Sequence, residues 1–284
     1  MADAARESGD RSIITRKVLL AVCLALAAVI YYPVIVPLVR QWVDDPNYTH
    51  GLLIPPVSAL LLWRRREELS ACESGGGRAA GLILVLTSFI LLIAGTAASE
   101  LFTARISLPL MIFGSVLYLR GRQFAGKAAF AILLLMMMVP LPYIIYYKMT
   151  FPMQIMSAKM SSAVLRAIGV SVIRRGNILM LPGYTLEVVA ACSGLRSLMT
   201  MVTLSMVMAA FSSMGRIRDS VLIACSVPVA VAANTVRLVV TAVGAYTVGA
   251  QFADGPLHEI SGLIVFLAGL LLLILCRGLL RWTR

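Results

Sequence analysis

The sequence predicts an all-α polytopic integral membrane protein with about eight transmembrane helices. Hydrophobic residues make up 60% of the 284 residues and charged residues only 13%, with a mean hydropathy of +0.91. A water-soluble domain of this size cannot bury that much apolar surface. Apolar runs recur from residue 18 to residue 276, and no polar stretch between them is long enough for a separate core. We therefore predict one membrane-embedded domain over 18–276, between cytoplasmic tails at 1–17 and 277–284.

Eight apolar runs are predicted to cross the membrane. The first is too long for the core of a cleaved signal peptide, so we expect it to be retained. The second is short and contains Pro55 and Pro56, which makes a re-entrant segment the alternative there. The predicted spans are 18–39, 48–63, 80–98, 103–119, 128–147, 191–211, 219–248 and 259–276.

The basic residues indicate how the chain is oriented. The net charge is +12, and most of the 25 Lys and Arg residues lie in short clusters beside apolar runs. Such clusters are topology signals and contacts to membrane lipids, so we expect no nucleic-acid partner. A full crossing by 48–63 keeps Arg64, Arg65 and Arg66 on the same side as the later basic loops. Both termini are therefore predicted to be cytoplasmic.

The longest predicted external segment, 148–189, is expected to cap the outer surface before the sixth span. Its first part, 153–168, places apolar residues on one helical face, which is typical of a helix at the membrane interface. After Gly169, the runs VSVI, ILML and TLEVV are separated by RRGN and PGY. This alternation predicts a small β-hairpin or meander just before Cys192.

Cys192 is the cysteine best placed for chemistry. The other four are predicted to lie mid-span, in a cytoplasmic loop or at the inner end of a span, so Cys192 is the lone thiol at the outer surface. It therefore has no disulfide partner there. The start of a helix and the nearby Arg196 favour its thiolate form. The alternative is that Cys192 is a small hydrophobic residue of the helix bundle.

Arg237 lies inside the predicted span 219–248, about 27 Å from the cytoplasmic end at the rise of an α-helix. An arginine at that depth is costly unless it is paired or hydrated, which makes a functional role the default expectation. A structural arginine that reaches the outer headgroups or pairs with Glu187 or Glu259 is the alternative. Its helical face is predicted to turn toward the bundle because it carries small and polar residues, namely Ser226, Ala230, Asn234 and Thr241.

His258 begins the eighth predicted span on the outer side. Taken alone, a histidine at a span end is more often an interfacial residue than a catalyst. Cys192, Arg237 and His258, however, come from three spans and share one predicted depth. A thiol nucleophile needs a proton carrier and a positive donor for the oxyanion, and these residues supply both.

Further polar residues are expected near this trio. His50, in NYTHGLLIP, is also predicted to face outward, with a structural or substrate-positioning role. No cysteine, histidine or acidic spacing indicates a metal site, and no cofactor is expected. The residues predicted to surround the trio or to contact substrate are Glu187, Ser193, Arg196, Asn234 and Glu259.

Three motifs in this order resemble the exosortase/archaeosortase family: EVVAACSGLRSL around Cys192, ANTVRLVV around Arg237 and PLHEISG around His258. The segment NYTHGLLIPPVSALLLWRRREEL is similar to the amino-terminal half of that family. The resemblance covers roughly residues 40–276. The three motifs together are much more specific than any one of them alone.

This resemblance implies a membrane-embedded cysteine protease or transpeptidase whose active site faces outward. It implies that Cys192 is the nucleophile, Arg237 the basic residue and His258 the acid/base partner. The implied partners are exported proteins with a PEP-CTERM-type carboxy-terminal sorting signal, made of a short motif, a transmembrane helix and a basic tail. The residues themselves support a thioester on Cys192 that an amine or water resolves.

Other classes of function stay open at the level of sequence. A transporter or channel could bind an anion at Arg237 and Asn234, although the chain has no internal repeat and no acidic proton relay. A membrane acyltransferase could also use a thioester on Cys192. A scaffold would tolerate replacement of all three candidate catalytic residues.

Overall fold

The computed structural model describes residues 2–73, 75–188, 194–212, 214–249, 251–252 and 256–282. Side chains are described for these residues except 2–17, 19, 20, 24 and 256–259. The chain divides into two compact units. The first unit comprises Met1–Leu52 and Glu73–Ala125, and the second comprises Leu53–Cys72 and Gly126–Arg284.

Helices account for most of the described chain. In order they are α1 (Ala2–Asp44), α2 (Ile54–Arg64), α3 (Arg66–Ser70), α4 (Arg78–Ala97), α5 (Leu101–Arg120), α6 (Arg122–Leu134), α7 (Tyr143–Ala167), α8 (Leu195–Ala210), α9 (Arg216–Thr247) and α10 (Pro256–Trp282). Short 3-10 helices occupy Thr49–Leu52 and Leu135–Met138. Three strands lie between α7 and α8, namely β1 (Ile173–Arg175), β2 (Ile178–Leu181) and β3 (Tyr184–Glu187).

In the first unit, α4 and α5 pack against each other as a helical hairpin. Glycines permit the close approach: a Cβ at Gly81 would lie 2.5 Å from the backbone nitrogen of Tyr118, and one at Gly114 would lie 2.9 Å from Leu84 Cβ. Helices in a membrane associate through such close packing, because lipid offers no hydrophobic driving force between them.

Two polar contacts join α1 to α5 within the same unit. The Tyr31 hydroxyl is 3.1 Å from Ser107 Oγ, and Arg105 Nη1 donates to Gln41 Oε1 over 2.6 Å. Arg105 is buried inside a membrane helix, and the sequence analysis did not single it out. Its bond to Gln41 provides a partner for a charge that would otherwise be costly at this position.

In the second unit, α8, α9 and α10 pack together, and α7 packs on α9. Met201, Leu222 and Leu273 are fully buried where α8, α9 and α10 meet. The strands contribute a second core, in which Leu179 and Val188 are buried with residues of α7 and α9. The sheet therefore shares its core with the helices that carry the candidate site.

Among the described residues, five helices have the length and composition of a membrane span: Ala21–Asp44, Arg78–Ala97, Leu101–Arg120, Arg216–Thr247 and Ile260–Trp282. The number is six if α6 and α7, which are bent by 81° at their junction, form one span. The protein is thus an integral membrane protein, with fewer clear spans than the eight predicted.

The predicted second span, 48–63, is replaced by a 3-10 turn and the 11-residue helix α2. Pro55 and Pro56 occupy the first turn of α2, where proline is compatible with a helix start. At 1.5 Å per residue α2 is about 16 Å long, roughly half the hydrocarbon thickness. The prolines favour the start of a helix within the run 48–63, and the apolar composition of the run does not show this.

The predicted fifth span, 128–147, also differs from the structure. α6 ends at Leu134, and Pro142 precedes α7, which then continues without interruption through Lys148 to Ala167. Proline restricts the residue before it to extended conformations, which explains a break at the VPLP sequence. The predicted start of the external segment at residue 148 therefore falls inside a helix.

The predicted sixth span, 191–211, corresponds to α8, a 16-residue apolar helix whose described part begins at Leu195. The predicted small sheet is confirmed as an antiparallel meander in the order β1-β2-β3. Arg174 and Arg175 belong to β1, so the turn is tighter than the predicted RRGN loop. The location of the sheet on the outer face, and the limits of the tails at 1–17 and 277–284, stay predictions.

Basic side chains border a cavity in each unit. In the first unit, Arg78 borders a cavity of about 350 Å³ between the start of α4 and the end of α5. In the second unit, Arg65 and Lys127 line a crevice with Ala210, the last residue of α8. The orientation predicted from the basic loops stays a prediction.

Candidate functional site

The segment that contains Cys192 is held at both ends. Cys192 and Ser193 themselves lie outside the described residues, within 189–193. On one side, the Val188 N–H donates to the Asn177 carbonyl over 2.9 Å, and the Val188 carbonyl accepts from Asn177 Nδ2 over 3.2 Å. On the other side, Gly194 begins α8 and is buried. Both anchors belong to the second unit.

Gly194 is the N-cap of α8 and has a φ of +88°, which favours glycine. It also lies directly against α9. A Cβ at this position would lie 2.8 Å from Asn234 Cγ and 2.9 Å from Asn234 Nδ2. The absence of a side chain at Gly194 therefore lets the start of α8 contact Asn234.

Asn234 links α7 to Arg237. It is 3% exposed, and its Nδ2 donates to Ser157 Oγ on α7 over 3.1 Å. Its Oδ1 accepts a hydrogen bond from Arg237 Nη2, also over 3.1 Å. The guanidinium fixes which side of the amide faces which neighbour: it has only donors, so the amide oxygen must face Arg237, and the amide nitrogen then faces Ser157, whose hydroxyl oxygen can accept.

The predicted orientation of the α9 face is confirmed. Arg237 is half-buried, and the other residues of the stripe, Ser226, Ala230, Asn234 and Thr241, are buried. The polar side chains on this face thus point into the second unit.

α10 approaches Arg237 through Gly262. A Cβ at Gly262 would lie 3.5 Å from Arg237 Cδ. His258 and Glu259 belong to the same helix, and His258 lies one turn before Gly262. The side chains of His258 and Glu259 lie outside the description.

A small crevice lies beside Arg237, between α8, α9 and α10. Its volume is about 10 Å³, close to the minimum that a single water molecule requires. Its lining includes Ser197, Asn234, Arg237, Gly262 and Phe266. This crevice has room for one water molecule and not for a peptide.

The remaining predicted site residues lie in three places. Arg196 is exposed in the first turn of α8, and Glu187 is exposed at the end of β3. His50 is buried in the 3-10 turn of the first unit, where its ring centroid is 6.3 Å from that of Tyr48. The structure therefore brings Asn234 and Arg237 together with the start of α8, while His50 belongs to the other unit.

The candidate site lies at the opposite end of α8 from Arg65 and Lys127. Gly194 and Ala210 bound α8, and a helix of 16 residues is about 24 Å long. Asn234 contacts Gly194, whereas Arg65 and Lys127 border the Ala210 end. The location of the site at the outer face stays a prediction.

Ser157 is a site residue that the sequence analysis missed. A single serine in an apolar helix carries no distinctive signal. The only available hint is the run of small residues at Ser157, Ala158, Ser161 and Ser162, all of which are buried. Such a run indicates a face that packs closely on a neighbouring helix.

These observations define an integral membrane protein in which a buried asparagine holds a half-buried arginine beside the start of a helix. The chain belongs to the transmembrane exosortase family (Exosortase_EpsH), whose profile matches residues 42–275. That match agrees with the predicted extent of the resemblance and includes residues of both compact units. No curated protein and no solved structure shows a significant match to the chain.

Proposed function

We propose that this protein is a membrane-embedded cysteine transpeptidase that cleaves carboxy-terminal sorting signals from exported proteins at the outer face of a bacterial inner membrane. The geometric observation that carries the proposal is the position of Arg237. Its guanidinium is bonded to Asn234, which contacts the start of α8 two residues after Cys192, and its side chain runs beside α10 one turn after His258. Family membership supports the same chemistry.

In the proposed first step, the Cys192 thiol gives its proton to His258, and the resulting thiolate attacks the carbonyl carbon of the scissile peptide bond. The position just before the N-terminus of α8 favours the thiolate, because the helix dipole and free N–H groups attract negative charge. Arg237 stabilises the oxyanion that forms on the carbonyl oxygen. A guanidinium held by an asparagine is already oriented when that charge develops.

In the second step, the carbon–nitrogen bond breaks and the leaving amine takes a proton from His258. The product is a thioester between Cys192 and the new carboxyl end of the exported protein. An amine or water then attacks the thioester and loses a proton to His258, the carbon–sulfur bond breaks, and the Cys192 thiolate beside protonated His258 is restored. These steps balance without a metal ion or a cofactor.

The proposed substrates are exported proteins that end in a short motif, an apolar helix and a basic tail. The basic tail agrees with the same positive-inside rule that orients the enzyme, so both chains would present their reacting parts at the outer face. We propose that the peptide is contacted, or the catalytic residues are oriented, by Glu187, Arg196 and Glu259. We propose a substrate-positioning role for His50.

The test is processing of such an exported protein by cysteine variants. Cys192→Ala is expected to abolish cleavage without loss of membrane insertion. Cys192→Ser is expected to be nearly as inactive, because a hydroxyl is a far poorer nucleophile than a thiolate near neutral pH. Cys225→Ala, in α9, is the matched control and should retain processing. Full cleavage by Cys192→Ala would remove Cys192 as the nucleophile.

A further inference from the structure

We propose that Ser157 on α7 is a positioning residue for Arg237, and that it acts through Asn234. This inference rests on the proposed function, since it assigns Arg237 a role in the reaction. The structural basis is the pair of hydrogen bonds that connect the three side chains, each 3.1 Å long.

Asn234 can hold Arg237 only if its own amide is held. Rotation of the amide by half a turn would exchange its oxygen and nitrogen, and would then direct an N–H donor toward a guanidinium that has only donors. Arg237 therefore selects the orientation, and Ser157 Oγ, which accepts from Nδ2, anchors the other side of the same amide. Ser157 is 3% exposed and Asn234 is also 3% exposed, so water has little access to either group.

The contact with Gly194 adds a second constraint. The Cβ, Cγ and Nδ2 atoms of Asn234 fill the space that a side chain at Gly194 would need. A shift of Asn234 would therefore displace both the guanidinium of Arg237 and Gly194, the first described residue after Cys192. Through Asn234, Ser157 thereby affects the positions of both Arg237 and the start of α8.

Three substitutions on one helix test the proposal. Ser157→Ala removes the acceptor, and Ser157→Thr retains a hydroxyl. Ser161→Ala is the matched control, because Ser161 is one turn further along α7, is fully buried and has no hydrogen-bond partner for its Oγ among the described residues. All three are compared with wild type by the rate at which a co-expressed exported protein with a carboxy-terminal helix and basic tail is cleaved, at equal enzyme abundance.

We expect Ser157→Ala to lower that rate about 10- to 100-fold, as for a small displacement of a group that must meet a reacting atom. Ser157→Thr should recover most of the rate, and Ser161→Ala should stay near wild type. If Ser157→Ala cleaves as fast as Ser161→Ala, the inference is wrong. If that happens while Cys192→Ala is inactive, only this inference fails and the proposed function stands. An active Cys192→Ala variant would overturn the proposed function itself.

A double-mutant cycle tests whether Ser157 acts through Arg237. In the Arg237→Lys background, Ser157→Ala should have almost no further effect, because the group that it positions has been replaced. Equal fold-losses in both backgrounds would show that Ser157 acts elsewhere and would overturn the inference.

Asn234→Asp provides a test that separates positioning from general stability. Aspartate retains an acceptor for Arg237 and can accept from the Ser157 hydroxyl, but it adds a negative charge beside the guanidinium. The variant should remain inserted and as resistant to heat as wild type, while its cleavage rate falls at least about 10-fold as the charge available to an oxyanion is offset. A wild-type rate in Asn234→Asp would contradict the role of the Asn234–Arg237 pair.

Discussion

Gly194→Ala tests the contact between the start of α8 and Asn234. The substitution has two separable effects. The φ of +88° is unfavourable for any residue with a Cβ, at about 1–2 kcal/mol. The new Cβ would also lie 2.8 Å to 3.0 Å from three atoms of Asn234, and overpacking of that kind costs about 1–3 kcal/mol. Together these effects predict a loss of about 2–5 kcal/mol in the free energy of unfolding.

Gly183→Ala is the matched control for the backbone effect. Gly183 has a φ of +79°, but a Cβ there would meet no atom within 4 Å. It should therefore lose only the first, conformational part. The difference between the two variants isolates the packing against Asn234.

The assay is the apparent melting temperature in detergent, measured together with cleavage of an exported substrate. At roughly 2–4 °C per kcal/mol, the packing part of about 1–3 kcal/mol means that Gly194→Ala should melt about 2–12 °C below Gly183→Ala. It should also lose cleavage about 10-fold or more, since Asn234 cannot shift without disturbing its bond to Arg237. Equal melting temperatures and a wild-type cleavage rate in Gly194→Ala would refute the packing argument.

Four further predictions concern other parts of the chain. Arg237→Lys should insert normally but lose turnover on the order of 100-fold, because lysine lacks the planar fork that can serve an oxyanion and Asn234 together. Gly114→Val should lower the free energy of unfolding by about 1–3 kcal/mol in a denaturation experiment, because α4 leaves no space there. Hydrogen bonds from Thr103, above all from its side chain, lower the pKa of Glu100 below its ordinary value of 4.5. This carboxylate therefore contributes stability that is fully present above the ordinary pKa and is lost as the pH falls through the lowered pKa. Glu100→Ala should accordingly lower the melting temperature, by the equivalent of about 1 kcal/mol for a lost N-cap, near pH 7 but less near pH 3. Cys72 should resist an impermeant thiol reagent applied from outside and react after the membrane is opened.

Each of these has a contrary outcome. Wild-type turnover in the lysine variant at position 237 would remove Arg237 from the reaction, and a melting loss without a loss of turnover would indicate a structural cation. An unchanged unfolding midpoint in Gly114→Val would show that α4 and α5 are not closely packed. A pH-independent difference between wild type and Glu100→Ala would exclude the carboxylate as the source of the effect. Labelling of Cys72 in intact cells would reverse the predicted orientation.

The sequence predicted the helical membrane class, the small antiparallel sheet and the buried face of α9, because each depends on a regular pattern of apolar residues. It raised a re-entrant segment at Pro55 and Pro56 only as an alternative and did not predict the break at Pro142, because hydropathy alone treats a proline within an apolar run as part of a span. The 81° bend between α6 and α7 follows from backbone restrictions that composition does not record.

The candidate site shows the same division. Arg237 and Asn234 stand out in sequence because charged and amide side chains are rare inside membrane helices. Ser157 does not stand out, since its role depends on a contact between α7 and α9 across 77 residues of sequence. Gly194 is visible only as one of 21 glycines until its contact with Asn234 is known. The roles of Cys192 and His258 stay proposals that rest on sequence and family.

Trapping a covalent intermediate on Cys192 tests the central claim most directly. The full-length protein would be co-expressed with exported proteins of its host that end in a short motif, an apolar helix and a basic tail, then denatured rapidly in acid and measured by intact mass. The proposed transpeptidase should carry a thioester whose mass equals that of the exported protein without its terminal segment, and the adduct should vanish in Cys192→Ala. A fatty-acyl mass on Cys192 would instead identify an acyltransferase, and complete cleavage of the exported protein by Cys192→Ala would contradict the account.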